Sequence, residues 1–146
     1  MITRTAIVAE AMSWIGTPYH HQASLKGAGC DCLGLVRGVW RALVGPEPET
    51  LPAYSRDWGI GAETLLEGAR RSLVEVPLAQ ISAGDVLVFR MRRGRPAKHC
   101  GIVGDGGGFI HAWDAAPEVC RTSLDEWWSA KIAAAFVFPG VAEGAS

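Results

Sequence analysis

The stretch Gly29-Cys30-Asp31-Cys32-Leu33-Gly34-Leu35-Val36 decides the fold, because it joins a loop to an amphipathic helix at a cysteine. From Cys32 onward, apolar residues recur at helical spacing as far as Val44, and Gly45-Pro46 ends the pattern. Asp31 stands where a helix N-cap belongs. The sequence therefore predicts a helix whose first turn carries the Cys32 thiol.

Helical patterns flank this stretch, and strand patterns occupy the second half of the chain. Residues 2–15 predict a helix capped by Thr3 or Thr5, residues 16–31 a loop, and residues 58–73 another helix. Short apolar segments predict strands at 85–90, 100–103, 109–112, 119–121 and 132–138, with a glycine turn at 104–108 and a helical turn at 125–128. Helices followed by strands predict an α+β fold with an antiparallel sheet.

The composition predicts one globular domain at residues 1–140 and a frayed tail at 141–146. The 146 residues are 49% hydrophobic and 20% charged, which argues against a disordered chain. The net charge of -1 disfavours nucleic acid as a partner, and the basic run at 91–98 is interpreted as a solvated loop. No apolar run approaches the ~20 residues that span a bilayer, and the N-terminus has no signal-peptide core. We therefore expect synthesis in the cytoplasm and no membrane insertion.

Cys32 is the candidate nucleophile of this chain. The unpaired N–H groups and the dipole at a helix start lower the pKa of a thiol and favour the reactive thiolate. A cysteine nucleophile also needs a base, usually histidine, and a polar group that orients the base. His99 enters one predicted strand and His111 lies in the next, so a hairpin at 104–108 would bring the two imidazoles together. We predict His99 as the base and His111 as its orienting residue.

The cysteines also have structural interpretations. A cysteine at a helix start is commonly a small buried hydrophobe, and Cys30, Cys100 and Cys120 are interpreted in that way. A metal- or cluster-binding module built on Cys30, Cys32 and Cys100 is an alternative. The Cys-x-Cys spacing and the absence of a second matching pair argue against it, so we predict neither a metal nor a cofactor.

The remaining histidines and the tryptophans are assigned from their surroundings. His20 and His21 are adjacent in a predicted loop, and we interpret both as solvent-facing. Six tryptophans are more than a small core needs, so some are candidates to line a groove, although core packing is the usual role of a tryptophan. The candidates for a groove are Trp58, Trp113, Trp127 and Trp128.

Five blocks of sequence stand in a distinctive order along nearly the whole chain. They are Gly16-Thr17-Pro18-Tyr19, Asp31-Cys32-Leu33-Gly34-Leu35-Val36, Ala83-Gly84-Asp85-Val86-Leu87-Val88-Phe89, His99-Cys100-Gly101-Ile102-Val103-Gly104 and Phe109-Ile110-His111-Ala112. Together these blocks resemble the NlpC/P60 family in order and spacing. The resemblance implies a papain-like α+β fold, with the nucleophile at a helix N-terminus packed on an antiparallel sheet. It also implies hydrolysis of an amide bond in the peptidoglycan stem peptide, commonly the bond between D-Glu and the diamino acid.

The resemblance also assigns residue roles by position. The family's nucleophile, base and orienting residue correspond to Cys32, His99 and His111. Tyr19 is similar to a tyrosine beside the active site, and Asp31 to an acid that helps to hold the free amine of the stem peptide. Leu33 departs from the family, which usually has serine there, and this change implies an altered substrate preference.

The form Gly29-Cys30-Asp31-Cys32-Leu33-Gly34, followed by Tyr54-Ser55-Arg56-Asp57-Trp58, resembles a narrower group within the family. This group comprises the cell-wall peptidases of tailed phages and gene transfer agents. The resemblance implies partners among phage-type tail-tip or hub proteins and action on the cell wall in the periplasm during DNA delivery. A tail component that binds peptidoglycan without cutting it is the alternative.

Overall fold

The computed structural model describes residues 2–48 and 63–141, which contain four α-helices and eight β-strands. In chain order these are α1 (Arg4–Met12), β1 (Ser24–Leu25), β2 (Gly29–Cys30), α2 (Cys32–Leu43), α3 (Thr64–Ser72), β3 (Val74–Val76), a 3₁₀ turn (Leu78–Gln80), β4 (Val86–Phe89), β5 (His99–Val103), β6 (Gly108–His111), β7 (Cys120–Ser123), α4 (Glu126–Ser129) and β8 (Ile132–Val137). The predicted α+β class is confirmed. None of the described helices is long and apolar enough to cross a membrane.

Six strands form one antiparallel sheet in the order β3-β8-β4-β5-β6-β7, and β1 and β2 form a separate hairpin. Ile102 of β5 lies opposite Ile110 of β6, so the glycine-rich turn closes the hairpin that the sequence predicts. Gly106 and Gly107 have φ angles of 70° and 84°, which L side chains rarely adopt, so the turn depends on glycine. This hairpin places the ends of β5 and β6 beside each other.

Helix α2 begins at Cys32 because Asp31 caps it. Asp31 Oδ1 accepts a hydrogen bond of 2.8 Å from the Gly34 N–H, which satisfies one of the free donors of the first turn. Leu35 and Val39 are fully buried, and the helix packs against β5. A Cβ atom at Gly34 would lie 1.9 Å from the Ala23 carbonyl oxygen, so glycine permits the β1–β2 hairpin to approach the helix start. The Asp31 cap and the β1–β2 hairpin together fix the position of Cys32, the candidate nucleophile.

Apolar side chains cover both faces of the central strands. Helices α1, α2 and α3 pack on one face, where the core residues include Ile7, Leu35, Val39, Ile102 and Phe136. A smaller cluster covers the other face and consists of Leu87, Phe89, Val103, Phe109, Trp128 and Ala135. Strands β4, β5 and β6 are buried on both sides, so residues placed on them lie in an environment of low polarity.

Several sequence predictions need correction at their edges. The first helix ends at Met12 and is capped by Thr3, whose Oγ1 accepts from the Ala6 N–H at 3.0 Å. Residues 16–31 are not all loop, since β1 and β2 lie there, and β3 and the 3₁₀ turn were not predicted. These elements have two or three residues each, which is too short for a periodic pattern. The predicted start of the third helix at Trp58 lies outside the described residues, as does the tail after Val141. The domain limits stay a prediction.

Candidate active site

The Cys32 thiol lies where the start of α2 meets the start of β5. Cys32 is half-buried, and its Sγ is 3.8 Å from the Lys98 carbonyl oxygen, which precedes β5 directly. The side chains of His99 and Cys100, the first two residues of β5, both interact with this thiol. A residue from a helix and two from a strand about 66 positions later in the chain therefore converge on one sulfur atom.

The pKa of Cys32 is lowered to about 5. The hydrogen bond with the Cys100 thiol is the largest cause; the bond to His99 and the charge of His99 act in the same direction, while burial and the Asp31 charge oppose them. The same hydrogen bond, together with burial, raises the pKa of Cys100, because Cys100 keeps its proton and donates it. Cys32 is therefore a thiolate at neutral pH, the form that attacks carbonyl carbon.

His99 and His111 form a hydrogen-bonded pair. His99 Nε2 lies 2.7 Å from His111 Nδ1, and His111 Nε2 lies 2.8 Å from Thr122 Oγ1. Since His99 Nε2 is engaged, Nδ1 is the ring nitrogen left to face Cys32. A positively charged His99 donates from Nε2, which leaves the proton of neutral His111 on its own Nε2, pointing to Thr122. The predicted approach of the two imidazoles is confirmed, and Thr122 is an addition that the sequence did not indicate.

The environment of His111 keeps this imidazole neutral. His111 is fully buried, and burial lowers its pKa to about 3, with a further contribution from the charge of His99. Its ring centroid lies 4.3 Å from that of Phe109 and 5.1 Å from that of Trp128, and Trp113 stacks against it at 5.6 Å. A neutral His111 can accept a hydrogen bond from His99 at its Nδ1 atom.

Gly101 makes room for the imidazole pair. It lies in β5, two residues after His99, and a Cβ atom there would be 3.1 Å from the His111 Cβ and 2.9 Å from the Phe109 ring. The Ile110 carbonyl oxygen would be 3.0 Å away, and backbone cannot give way as a side chain can. The absence of a side chain at Gly101 is therefore a condition for packing His111 against β5.

A groove with a volume of about 180 Å³ opens beside Cys32 and His99. The structure brings the three predicted substrate-binding residues into its wall, together with several residues that the sequence did not indicate. Its lining consists of Tyr19, His21, Asp31, Cys32, Leu33, Met91, Lys98, His99, Ala112, Trp113 and Asp114. The Leu33 side chain also borders an apolar cavity of about 130 Å³ between α2 and α3.

Asp31 has a structural task in addition to its place in the groove. Its carboxylate is buried, and besides capping α2 it accepts a hydrogen bond of 2.7 Å from the Gln22 N–H. The interpretation of His21 as solvent-facing is correct only in part. His21 is half-buried, and its Nδ1 lies 3.9 Å from Asp31 Oδ2, because the β1–β2 hairpin folds this loop back over the helix start. His20 is exposed, as predicted.

The tryptophans divide between the groove and the core. Trp113 lines the groove, Trp128 is buried beneath the histidine pair, and Trp127 is exposed. Trp58 lies outside the described residues. All four cysteines are free thiols, and burial raises the pKa of Cys30 to about 12, so Cys30 is inert as a nucleophile. Residues 2–48 and 63–141 contain no group of three His, Cys, Asp or Glu side chains able to hold a metal ion.

Comparison with known proteins places this site in a family. The profile of the NlpC/P60 family matches residues 16–136. The Gamma-DL-glutamyl hydrolase of Bacillus subtilis (strain 168) is similar, with 28% identity over 127 residues that cover 86% of this chain and 27% of that protein. The chain thus spans about a quarter of the length of that relative.

Solved structures show the same architecture. The NlpC/p60 domain of the peptidoglycan hydrolase SagA is similar with a TM-score of 0.68 and 26% identity, covering 94% of this chain and 100% of that domain. An NlpC/P60 family protein from Bacillus cereus ATCC 10987 also has a TM-score of 0.68, at 20% identity, covering 94% of this chain and 40% of the other, and it supports the fold alone. The papain-like fold is confirmed. The chain belongs to the NlpC/P60 family.

Proposed function

We propose that this protein is a cysteine endopeptidase that cleaves the amide bond between D-Glu and the diamino acid in the peptidoglycan stem peptide. In this proposal Cys32 is the nucleophile, His99 the general base and acid, and His111 the residue that orients His99. The observation that carries it is the continuous set of side-chain hydrogen bonds from Cys32 through His99 to His111 beside an open groove. Family membership supports the substrate class, and the name of the Bacillus subtilis relative supports a γ-glutamyl bond.

The geometry supports a two-step acyl transfer. The Cys32 thiolate attacks the scissile carbonyl carbon, and the developing oxyanion accepts a hydrogen bond from the Cys32 backbone N–H, which has no partner within the helix. His99 then donates its Nδ1 proton to the departing amine, leaving a thioester on Cys32. A water molecule, deprotonated by His99, attacks this thioester, and the carboxylic acid product leaves as the thiolate re-forms. Throughout, neutral His111 holds the ring of His99 in place.

Three groove residues complete the proposal. Asp31 is proposed to hold the free amine of the stem peptide and Tyr19 to contact the substrate beside it, and both line the groove next to Cys32. The cap formed by Asp31 fixes its carboxylate within this wall, which supports a role in positioning an amine. Leu33 presents an apolar surface where the family usually has a hydroxyl, so the substrate is expected to contact carbon there.

The test is digestion of purified sacculi by the wild type and by Cys32→Ala, with mass spectrometry of the released muropeptides. Wild type is expected to produce fragments that end in D-Glu and partners with a new amine on the diamino acid. Cys32→Ala is expected to release none while unfolding at the wild-type temperature, and Cys120→Ala serves as the control for loss of a thiol. If Cys32→Ala digests sacculi as fully as the wild type, the proposal is wrong. Binding of sacculi without fragments from the wild type would favour a non-cleaving tail component.

We further propose that the enzyme is carried on a phage-like tail and acts on the cell wall in the periplasm, bound to tail-tip or hub proteins. Its support is the resemblance of two segments, residues 29–34 and 54–58, to the peptidases of phages and gene transfer agents; the second lies outside the described residues. Quantitative mass spectrometry of density-purified particles tests this proposal. The chain is expected to co-purify with tail proteins in constant ratio, and its absence from intact particles would refute the idea.

A further inference from the structure

The groove lining contains one lysine, Lys98. Its ammonium group pairs with none of the residues that the structure describes. The charged or titratable residues that line it beside the catalytic pair are His21, Asp31, Lys98 and Asp114. Asp31 is occupied by two backbone N–H groups, and His21 and Asp114 each have interactions of their own. The half-buried Lys98 side chain makes no hydrogen bond or ion pair with residues 2–48 or 63–141.

Lys98 is also placed beside the reacting atoms. Its carbonyl oxygen lies 3.8 Å from Cys32 Sγ, and the next residue in the chain is His99. The side chain therefore originates at the edge of the groove where the scissile carbonyl must lie. A flexible four-carbon stem gives its ammonium group access to any substrate group within a few bonds of that carbonyl.

The two residues that flank Cys32 in the chain, Asp31 and Leu33, offer no cationic side chain. Leu33 follows Cys32 on the helix and borders both the groove and the apolar cavity. Asp31 precedes Cys32, and its negative charge repels carboxylates. Among the immediate sequence neighbours of Cys32 and His99, Lys98 is thus the residue that offers a positive charge. A partly desolvated ammonium group without a partner is stabilised when an anionic ligand supplies one.

We propose that Lys98 is a specificity-determining residue that binds the free α-carboxylate of a glutamyl residue linked to the next residue through its γ-carboxyl group. This inference rests on the proposed function and names the substrate group that the site selects. In a γ-glutamyl bond, four C–C bonds separate the α-carboxylate carbon from the reacting carbonyl carbon, about 5 Å in extended form. An enzyme that uses Lys98 in this way discriminates against stem peptides in which that carboxylate is an amide.

The experiment compares two synthetic tripeptides, L-Ala-γ-D-Glu-diaminopimelate and the same peptide with D-isoglutamine in place of D-Glu. The wild type is expected to show a kcat/KM about 10- to 100-fold higher for the carboxylate peptide. This factor corresponds to the free energy of one hydrogen bond between charged groups. In Lys98→Met the ratio is expected to fall to near one, whereas Lys98→Arg keeps most of it. Arg93→Met, an exposed residue of the same loop, is the matched control and is expected to keep the full preference.

The outcomes separate this inference from the proposed function. Equal cleavage of the two peptides by the wild type, or a preference retained in Lys98→Met, overturns the role of Lys98 while the peptidase assignment stands. Cleavage of neither peptide nor sacculi by the wild type overturns both. Thermal unfolding of Lys98→Met and Lys98→Arg accompanies the kinetics, and the arginine variant tests the charge requirement even if the methionine variant is unstable.

Discussion

The proposed catalytic centre combines two halves that are built in different ways. The helix half consists of Asp31 and Cys32 at the start of α2, and its main contact joins Asp31 to Gly34, three residues along the chain. The sheet half consists of His99, His111 and Thr122, and its hydrogen bonds join residues 12 and 11 positions apart. The helix half depends on a local cap, whereas the sheet half depends on the register of three strands.

The two halves also control protonation by opposite means. Hydrogen bonds to the thiolate in the helix half outweigh burial, so the pKa of Cys32 falls and the charged form is present. In the sheet half, burial is the largest influence on His111, so its pKa falls and the neutral form is present. The fold thus holds a charged thiolate near a neutral imidazole, because polar partners surround Cys32 and aromatic rings surround His111.

The largest effect is expected from removal of the proposed base in the sheet half. His99→Ala removes the proposed proton donor for the leaving amine and one of the hydrogen bonds to the Cys32 thiolate, so kcat/KM should fall by about 10³-fold. Steady-state kinetics on the carboxylate tripeptide measures this loss. His20→Ala, an exposed histidine, is the control and should retain wild-type activity. An unchanged kcat/KM in His99→Ala would exclude His99 as the base.

Next in size are two glycine substitutions that test how tightly each half is packed. Gly34→Ala places a methyl group 1.9 Å from the Ala23 carbonyl oxygen, and it should lower the free energy of unfolding by about 3 kcal/mol. Gly101→Ala meets the Phe109 ring at 2.9 Å, and it should cost about 2 kcal/mol and disturb the imidazole pair. Urea unfolding gives both values.

Gly68→Ala provides the matched control for these substitutions. Gly68 lies in α3, and the nearest atom to a Cβ there is the end of the Arg71 side chain at 3.5 Å. Alanine at this position should stabilise the protein by about 0.5–1 kcal/mol, because it favours the helical state. Equal stability of the Gly34→Ala protein and the wild type would mean that the β1–β2 hairpin does not press on α2.

A smaller effect should appear in the pH dependence of stability. The pKa of His111 is about 3 in the folded protein, below its ordinary value of 6.5, so the unfolded chain binds a proton that the folded protein refuses. The free energy of unfolding should therefore fall as the pH decreases from about 6.5 toward 3, by up to about 1.4 kcal/mol per pH unit from this group. His111→Asn removes this contribution, and its side-chain oxygen can still accept a hydrogen bond near the position that the His111 Nδ1 atom occupies. Urea unfolding between pH 4 and pH 8 compares the slopes, and identical slopes would contradict a buried neutral His111.

The smallest effect on activity at neutral pH is expected from Cys100. Cys100→Ala removes the hydrogen bond that contributes most to the low pKa of Cys32, so this pKa should rise by about one unit. The rate of iodoacetamide alkylation as a function of pH reports the change, and no substrate is needed. Cys100→Ser retains a donor and should keep the low value. Cys120→Ala, which removes a thiol opposite His111 in the sheet and outside the groove lining, is the control. A midpoint unchanged in Cys100→Ala would show that His99 alone stabilises the thiolate.

Much of the fold follows from patterns that are local in the sequence. The cap at Asp31, the apolar repeat after Cys32 and the glycine-rich turn between β5 and β6 each act within a few residues, so they predict a helix start and a hairpin without knowledge of the rest. The proximity of His99 and His111 follows from that hairpin. The two-residue strands β1 and β2 do not, because so short a segment has no period to detect.

The composition of the site beyond these residues depends on packing between layers. His99 and Cys100 are successive residues of a strand, so their side chains point to opposite faces. Both nevertheless interact with Cys32, because the start of α2 lies against the start of β5. Thr122 reaches His111 through the register of β7, and Lys98 and His21 enter the groove through the placement of loops. The periodicity of a sequence predicts which face of its own helix or strand a residue occupies. It does not predict which other element packs against that face, so only the tertiary structure revealed these contacts.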